Sequence, residues 1–151
     1  MLKTAALAFA ALLTVAAPAV AEQSAKPPMT VYKSPSCGCC GGWVDHMRAA
    51  GYHVEVKDTD AMDMVKDMMG VPDAMASCHT ATIDGYLVEG HVPADAVDRL
   101  LAERPKATGL AVPGMPVGSP GMEMGGQTEP YAAMLFNSDG TARTFMEYGQ
   151  K

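Results

Sequence analysis

The sequence predicts an α/β domain, on three observations. Short alternating apolar runs are interleaved with stretches of helical periodicity. Gly, Pro and Asp-Gly punctuation separates them. A stretch spanning 109–126 has neither pattern and is crowded with Pro, Gly and Met. The first four elements alternate strand and helix, and the next three are two strands and a helix. That is the order of a thioredoxin-like βαβ-ββα core, here with an extra C-terminal β-hairpin and a long Pro/Gly/Met loop.

Met29-Thr30-Val31-Tyr32-Lys33 reads as the first strand. Trp43, Val44, Met47 and Ala50 then recur at the spacing of an amphipathic helix. His53-Val54-Glu55-Val56-Lys57 alternates as a second strand, and Asp58-Thr59-Asp60 offers helix caps. Ala61, Met64, Val65 and Met68 give a second helical stripe that stops at Gly70. Thr80 to Ile83 and Tyr86 to Glu89, joined by Asp84-Gly85, form a hairpin. The third helix opens at Pro93, carries Ala94, Val97, Leu100 and Leu101 on one face, and ends at Pro105. Residues 109–126, with Pro or Gly at almost every second position, are expected to be neither helix nor central strand. Tyr131 to Phe136 and Thr141 to Tyr148, around Asn137-Ser138-Asp139-Gly140, complete the second hairpin.

Residues 1–21 carry one Lys, an apolar run from Ala5 to Val15 and the small-residue ending Ala19-Val20-Ala21. This is the layout of a cleaved secretory leader, too short for a membrane span. A short linker, 22–28, would then lead into one domain, 29–151, in the periplasm, with no membrane association after cleavage. Without Lys3 the chain has 10 basic side chains (11 − 1) against 17 acidic ones, a formal charge of −7. No basic stripe is available for phosphates, which argues against nucleic acid as a partner.

Chemistry concentrates in Ser34-Pro35-Ser36-Cys37-Gly38-Cys39-Cys40, which holds three of the four cysteines on a strand-to-helix turn. The free N–H groups and positive dipole end of a helix N-terminus favour thiolates there. Export favours disulfides, and four cysteines could make two structural bridges. The spacing opposes this: an adjacent Cys39–Cys40 pair would be strained, and Cys37 to Cys39 closes almost no loop. Cys37 and Cys40 have the dithiol spacing of thiol-disulfide oxidoreductases, in which one thiolate attacks and the other resolves. Such exchange leaves Cys39 unexplained, whereas several thiolates on one turn can share soft ions such as Cu(I) or zinc. In a thioredoxin-like order, Ser77-Cys78-His79 passes beside the dithiol turn on its way into the third strand. A four-sulfur cluster would result.

His79 beside Cys78, and His91 beyond Gly90, are further candidate ligands, since imidazole suits Cu(II) and borderline metals. His46 and His53 read as ordinary surface or strand residues. Met47, Met64 and Met68 lie on apolar helix faces and are expected in the core. Met115 and Met122 are presented by a loop with no core to fill, and are candidate thioether ligands on a lid over the cluster.

Several words occur in a specific order: Ser-Pro-Ser-Cys-Gly-Cys-Cys, then Ser77-Cys78-His79-Thr80, Asp84-Gly85-Tyr86, Glu89-Gly90-His91-Val92-Pro93, Gly114-Met115-Pro116 and Ser119-Pro120-Gly121-Met122. In these the chain resembles the CopG-type family of periplasmic copper-resistance proteins, from about Thr30 to the C-terminal hairpin. The resemblance implies a thioredoxin-like copper-binding fold with a multinuclear Cu(I) cluster on Cys37, Cys39, Cys40 and Cys78. It also implies a redox role interconverting Cu(I) and Cu(II), which would make the protein a copper oxidoreductase, and other periplasmic copper-handling proteins as partners. Two readings stand beside it: a thiol-disulfide oxidoreductase using Cys37 and Cys40, and an adaptor whose cysteines only staple the fold.

Overall fold

The computed structural model describes residues 25–149. The leader reading, 1–21, and the start of the linker lie outside the described residues. The elements are β1 (Met29–Lys33), α1 (Gly38–Ala49), β2 (Val54–Asp58), α2 (Met62–Met69), β3 (Thr80–Ile83), β4 (Tyr86–Gly90), α3 (Ala94–Glu103), β5 (Gly109–Val112), β6 (Tyr131–Phe136) and β7 (Ala142–Tyr148). A 3-10 turn, Asp73–Met75, precedes the return towards β3. The expected mixed α/β order is present, gathered into one seven-stranded sheet of order β2-β1-β3-β4-β5-β6-β7.

The connections follow from the pairing. β1 and β2 are parallel, so α1 must cross between them. β3 and β4 form the Asp84-Gly85 hairpin, with both turn residues at positive φ, 48° and 86°. β4 and β5 are again parallel, bridged by α3. The second hairpin, β6 and β7, extends the same sheet.

β5 corrects the expectation for residues 109–126. Gly109-Leu110-Ala111-Val112 is an interior strand, and all four residues are buried. This end of the segment contains no proline, and a Cβ at Gly109 would collide with the Leu87 carbonyl, so the glycine permits the contact rather than breaking the strand. The loop proper begins at Pro113.

One apolar cluster holds the fold. Trp43, Val44 and Met47 of α1 and Ala96, Val97 and Leu100 of α3 pack with Met29, Val31, Ile83, Val88, Leu110 and Val112 of the sheet. The helix α2 contributes no residue to it. Contrary to the core reading, Met64 is 60% and Met68 81% exposed, while Lys66 is the buried residue of this helix. The Lys66 ammonium reaches Thr80 Oγ1 at 3.0 Å and pairs with Glu89. That polar anchor sets the rotation of α2 and turns the Met64–Met68 edge to solvent.

Register delivers the functional segments to one end of the sheet. The Ser34–Cys37 turn leaves the C-terminal end of β1, and Tyr32 pairs with Thr80, so the residues preceding β3 arrive beside that turn. Thr80 in turn pairs with Glu89, and Gly90 with Val112. His91 and the loop after Val112 therefore meet at the same end.

Candidate metal centre

Cys37 caps α1. Its sulfur accepts the Cys40 N–H at 3.3 Å, its N–H donates to Ser34 O at 3.1 Å, and Cys39 and Cys40 occupy the first turn of the helix. Cys37 and Cys40 are joined as a disulfide with a Cα–Cα separation of 5.4 Å, and Cys39 and Cys78 are free thiols. Cys39 Sγ lies 3.5 Å from Cys37 Sγ. One sulfur from each of Cys37, Cys39, Cys40 and Cys78 lies within 4.8 Å of every other. The juxtaposition of Cys78 with the cysteine turn, expected from element order alone, is thus present.

A second group shares Cys78. Ligand atoms of Cys78, His79 and His91 also lie within 4.8 Å of one another. Cys78 Sγ is 2.9 Å from His91 Nε2 and 3.6 Å from His79 Nδ1. His91 Nδ1 lies 2.8 Å from the Pro120 carbonyl and must donate to it, which assigns the lone pair to Nε2, facing the sulfur. His79 is wholly buried, 4.4 Å from the Trp43 ring and edge-on to His91 at 5.1 Å. Its Nε2 has no hydrogen-bond partner among the described residues.

The electrostatics favour neutral imidazoles. Burial, with His91 and Lys66 adding to it, holds His79 well below the usual histidine range. Burial also lowers His91, offset in part by its bond to Pro120 and by Glu123. Both histidines therefore present lone pairs at neutral pH. Burial first, and then the facing Cys39, push the Cys78 thiol up to about 11. A metal bound there must displace that proton.

The loop closes over one flank. Gly121, at φ 83°, lies so close to α1 that a Cβ would strike the Cys39 carbonyl, and a Cβ on Gly42 would meet Gly121 Cα at 3.0 Å. Ser77 Oγ donates to Gly114 O at 2.5 Å, and the buried Ser119 donates to Pro116 O at 2.7 Å. Backbone around Pro120 is thus fixed against both the helix turn and His91. Met122 is half-buried beside this contact, whereas Met115 is 53% exposed on the loop.

His46 is not an ordinary surface side chain. It is half-buried, and its Nε2 accepts the Ala94 N–H at 3.1 Å, capping α3, whose own N-cap Pro93 supplies no side-chain bond. Lys66 and Glu89 were absent from the candidate residues. Their signal was a lysine sharing a helical face with Met62, Val65 and Met69, and a glutamate in a hairpin strand.

The fold and site define an α/β protein with a soft-ligand centre of cysteines and histidines at one sheet end. The structure is similar to two solved structures described as copper resistance protein CopG. Form 2 is 44% identical with a TM-score of 0.77, covering 82% of this chain and 98% of that one. Form 1 is also 44% identical with a TM-score of 0.77, covering 83% and 99%. The family model described as "Protein of unknown function, DUF411" matches residues 75–122, which include Cys78, His79 and His91. No curated protein matches the chain. The chain belongs to the CopG-type copper resistance family.

Proposed function

We propose that this protein binds copper in the periplasm as part of copper resistance, holding several Cu(I) ions on Cys37, Cys39, Cys40 and Cys78 in their reduced form. The observation that carries the reading is the convergence of all four sulfurs within 4.8 Å at one sheet end. Thiolates select Cu(I), and a compact sulfur group can bridge more than one ion. His79 and His91 supply nitrogen ligands that share Cys78, suited to the Cu(II) side of a redox cycle. The placement of His79 Nδ1 at 3.6 Å and His91 Nε2 at 2.9 Å from Cys78 Sγ supports this. Met122 lies on the docked part of the loop and Met115 on its exposed part, as soft ligands of a lid that limits water and oxidant.

The Cys37/Cys40 pair, joined in the structure as a disulfide, gives the redox side of the proposal its electrons from its reduced dithiol form. Closure of the Cys37/Cys40 dithiolate to the disulfide releases two electrons, enough to reduce two Cu(II) to two Cu(I). Opening it again requires an external two-electron reductant, such as a dithiol. The same bond favours the second reading, a thiol-disulfide oxidoreductase, because Cys37 sits at a helix N-cap as an attacking thiolate would.

Anaerobic Cu(I) titration of the reduced leader-free protein separates the two. Several equivalents are expected, fewer after Cys39→Ser or Cys78→Ser, and fewer for the oxidised protein. One equivalent or none, with ready reduction of a protein disulfide, would establish the exchange reading instead.

A further inference from the structure

Glu89 is wholly buried at the end of β4, and three donors converge on its carboxylate. Oε1 accepts the Ser77 N–H at 2.7 Å and the Lys66 ammonium, and Oε2 accepts Thr80 Oγ1 at 2.6 Å. Lys66 also bonds Thr80 Oγ1, so the group is closed on itself. A buried ion pair is rarely better for stability than apolar residues of similar volume, so what it fixes in space becomes the question.

It fixes two limbs of the metal centre. Ser77 immediately precedes Cys78, and Glu89 lies two residues before His91. Between Glu89 and His91, Gly90 takes φ 71°, and a Cβ there would collide with the Ser77 hydroxyl. The Gly90 N–H donates to His79 O at 2.9 Å. The Glu89 side chain and the Gly90 backbone thus clamp segment 77–79 to segment 89–91. The 2.9 Å approach of Cys78 Sγ to His91 Nε2 is made between these two segments.

We propose that Glu89 is a positioning residue that holds Cys78 against His91 for metal capture, with Lys66 as its countercharge in the interior. This rests on the copper reading of the site. Glu89 touches neither metal nor ligand atom; it acts through the Ser77 N–H.

Three variants test it. Glu89→Ala/Lys66→Met removes both charges together and leaves no unpaired ion. Glu89→Gln keeps an acceptor within reach of the Ser77 N–H. Glu89→Asp keeps the ion pair but falls one methylene short. Competition of each reduced protein with a chromophoric Cu(I) chelator is read beside its thermal melt and its Cu(I)-thiolate emission. Loss of an outer partner of a metal ligand weakens affinity roughly 10–100-fold, which is the loss expected for Glu89→Ala/Lys66→Met, with altered emission, while Glu89→Gln is rescued to near wild type. A folded Glu89→Ala/Lys66→Met protein that binds as tightly and emits alike overturns the proposal. Should that variant not melt cooperatively, Glu89→Asp is read by the same two criteria. The nitrogen-15 signal of His91 Nε2 in the metal-free protein gives a readout independent of copper. It shifts in Glu89→Ala/Lys66→Met and not in Glu89→Gln, and an unmoved signal sinks the clamp. Failure of the wild type to bind Cu(I) would instead refute the copper reading.

Discussion

Helices α1 and α2 both follow a strand, both carry apolar residues at helical spacing, and only one of them buries those residues. In α1 the stripe and the buried face coincide: Cys40, Trp43, Val44 and Met47 all point inward. In α2 the inward residue is Lys66, and Met64 and Met68 face out. The difference lies in what each helix meets. The first lies on an apolar sheet, where burial area decides its rotation. The second meets the Glu89 carboxylate and Thr80 hydroxyl, and satisfying a buried charge outweighs covering two flexible thioethers.

The largest effect that this contrast predicts is at Trp43, which is wholly buried, donates its indole N–H to Val92 O at 2.8 Å and seats the His79 ring. Trp43→Ala should destabilise by about 3–5 kcal/mol in urea denaturation, the usual range for emptying a large aromatic site. A loss below about 1 kcal/mol would mean that α1 does not rest on its apolar face, and the two helices would no longer differ in kind.

What was legible in the sequence follows the same division. The strand-turn-helix setting of Cys37, Cys39 and Cys40 could be read because caps, glycines and apolar spacing agree there. The approach of Cys78 followed from element order, since a strand that must pair beside β1 brings its preceding residues to the cysteine turn. Three features were not legible. β5 was masked by the composition of the loop that follows it, although Gly109-Leu110-Ala111-Val112 itself contains no proline. The cap that His46 lends to α3 joins residues far apart in the chain, and no local pattern encodes it. The rotation of α2 depended on a pairing between Lys66 and Glu89 that only the assembled sheet brings about.

The His46 cap gives an intermediate effect, and one with a pH signature. His46→Ala should cost about 0.5–2 kcal/mol at pH 7.5, as for other lost caps. Burial, opposed in part by Glu123 and Asp95, lowers the folded pKa of His46 below the ordinary histidine value of 6.5. The unfolded chain therefore takes up the proton first as pH falls. The stabilisation that the neutral ring provides is present above 6.5 and is lost as pH falls from there through the lower folded pKa. Denaturation curves at pH 5 and 7.5 should show the wild-type advantage over His46→Ala narrowing at the acid end. A constant or widening gap would mean that the ring is not a neutral acceptor.

The smallest expected effect returns to α2. Met64→Gln and Met68→Gln replace thioethers that already stand in water with side chains of similar length and helix propensity. Each should change stability by no more than about 0.5 kcal/mol, the range for surface positions without partners. The corresponding change on α1, Met47→Gln, would bury an amide in the apolar cluster at a wholly enclosed position. Measuring the three by chemical denaturation sharpens the contrast to one residue type on two helices. A loss of about 2 kcal/mol at Met64 or Met68, comparable to that at Met47, would show that α2 buries the face that its periodicity suggests, and that Lys66 does not set its rotation.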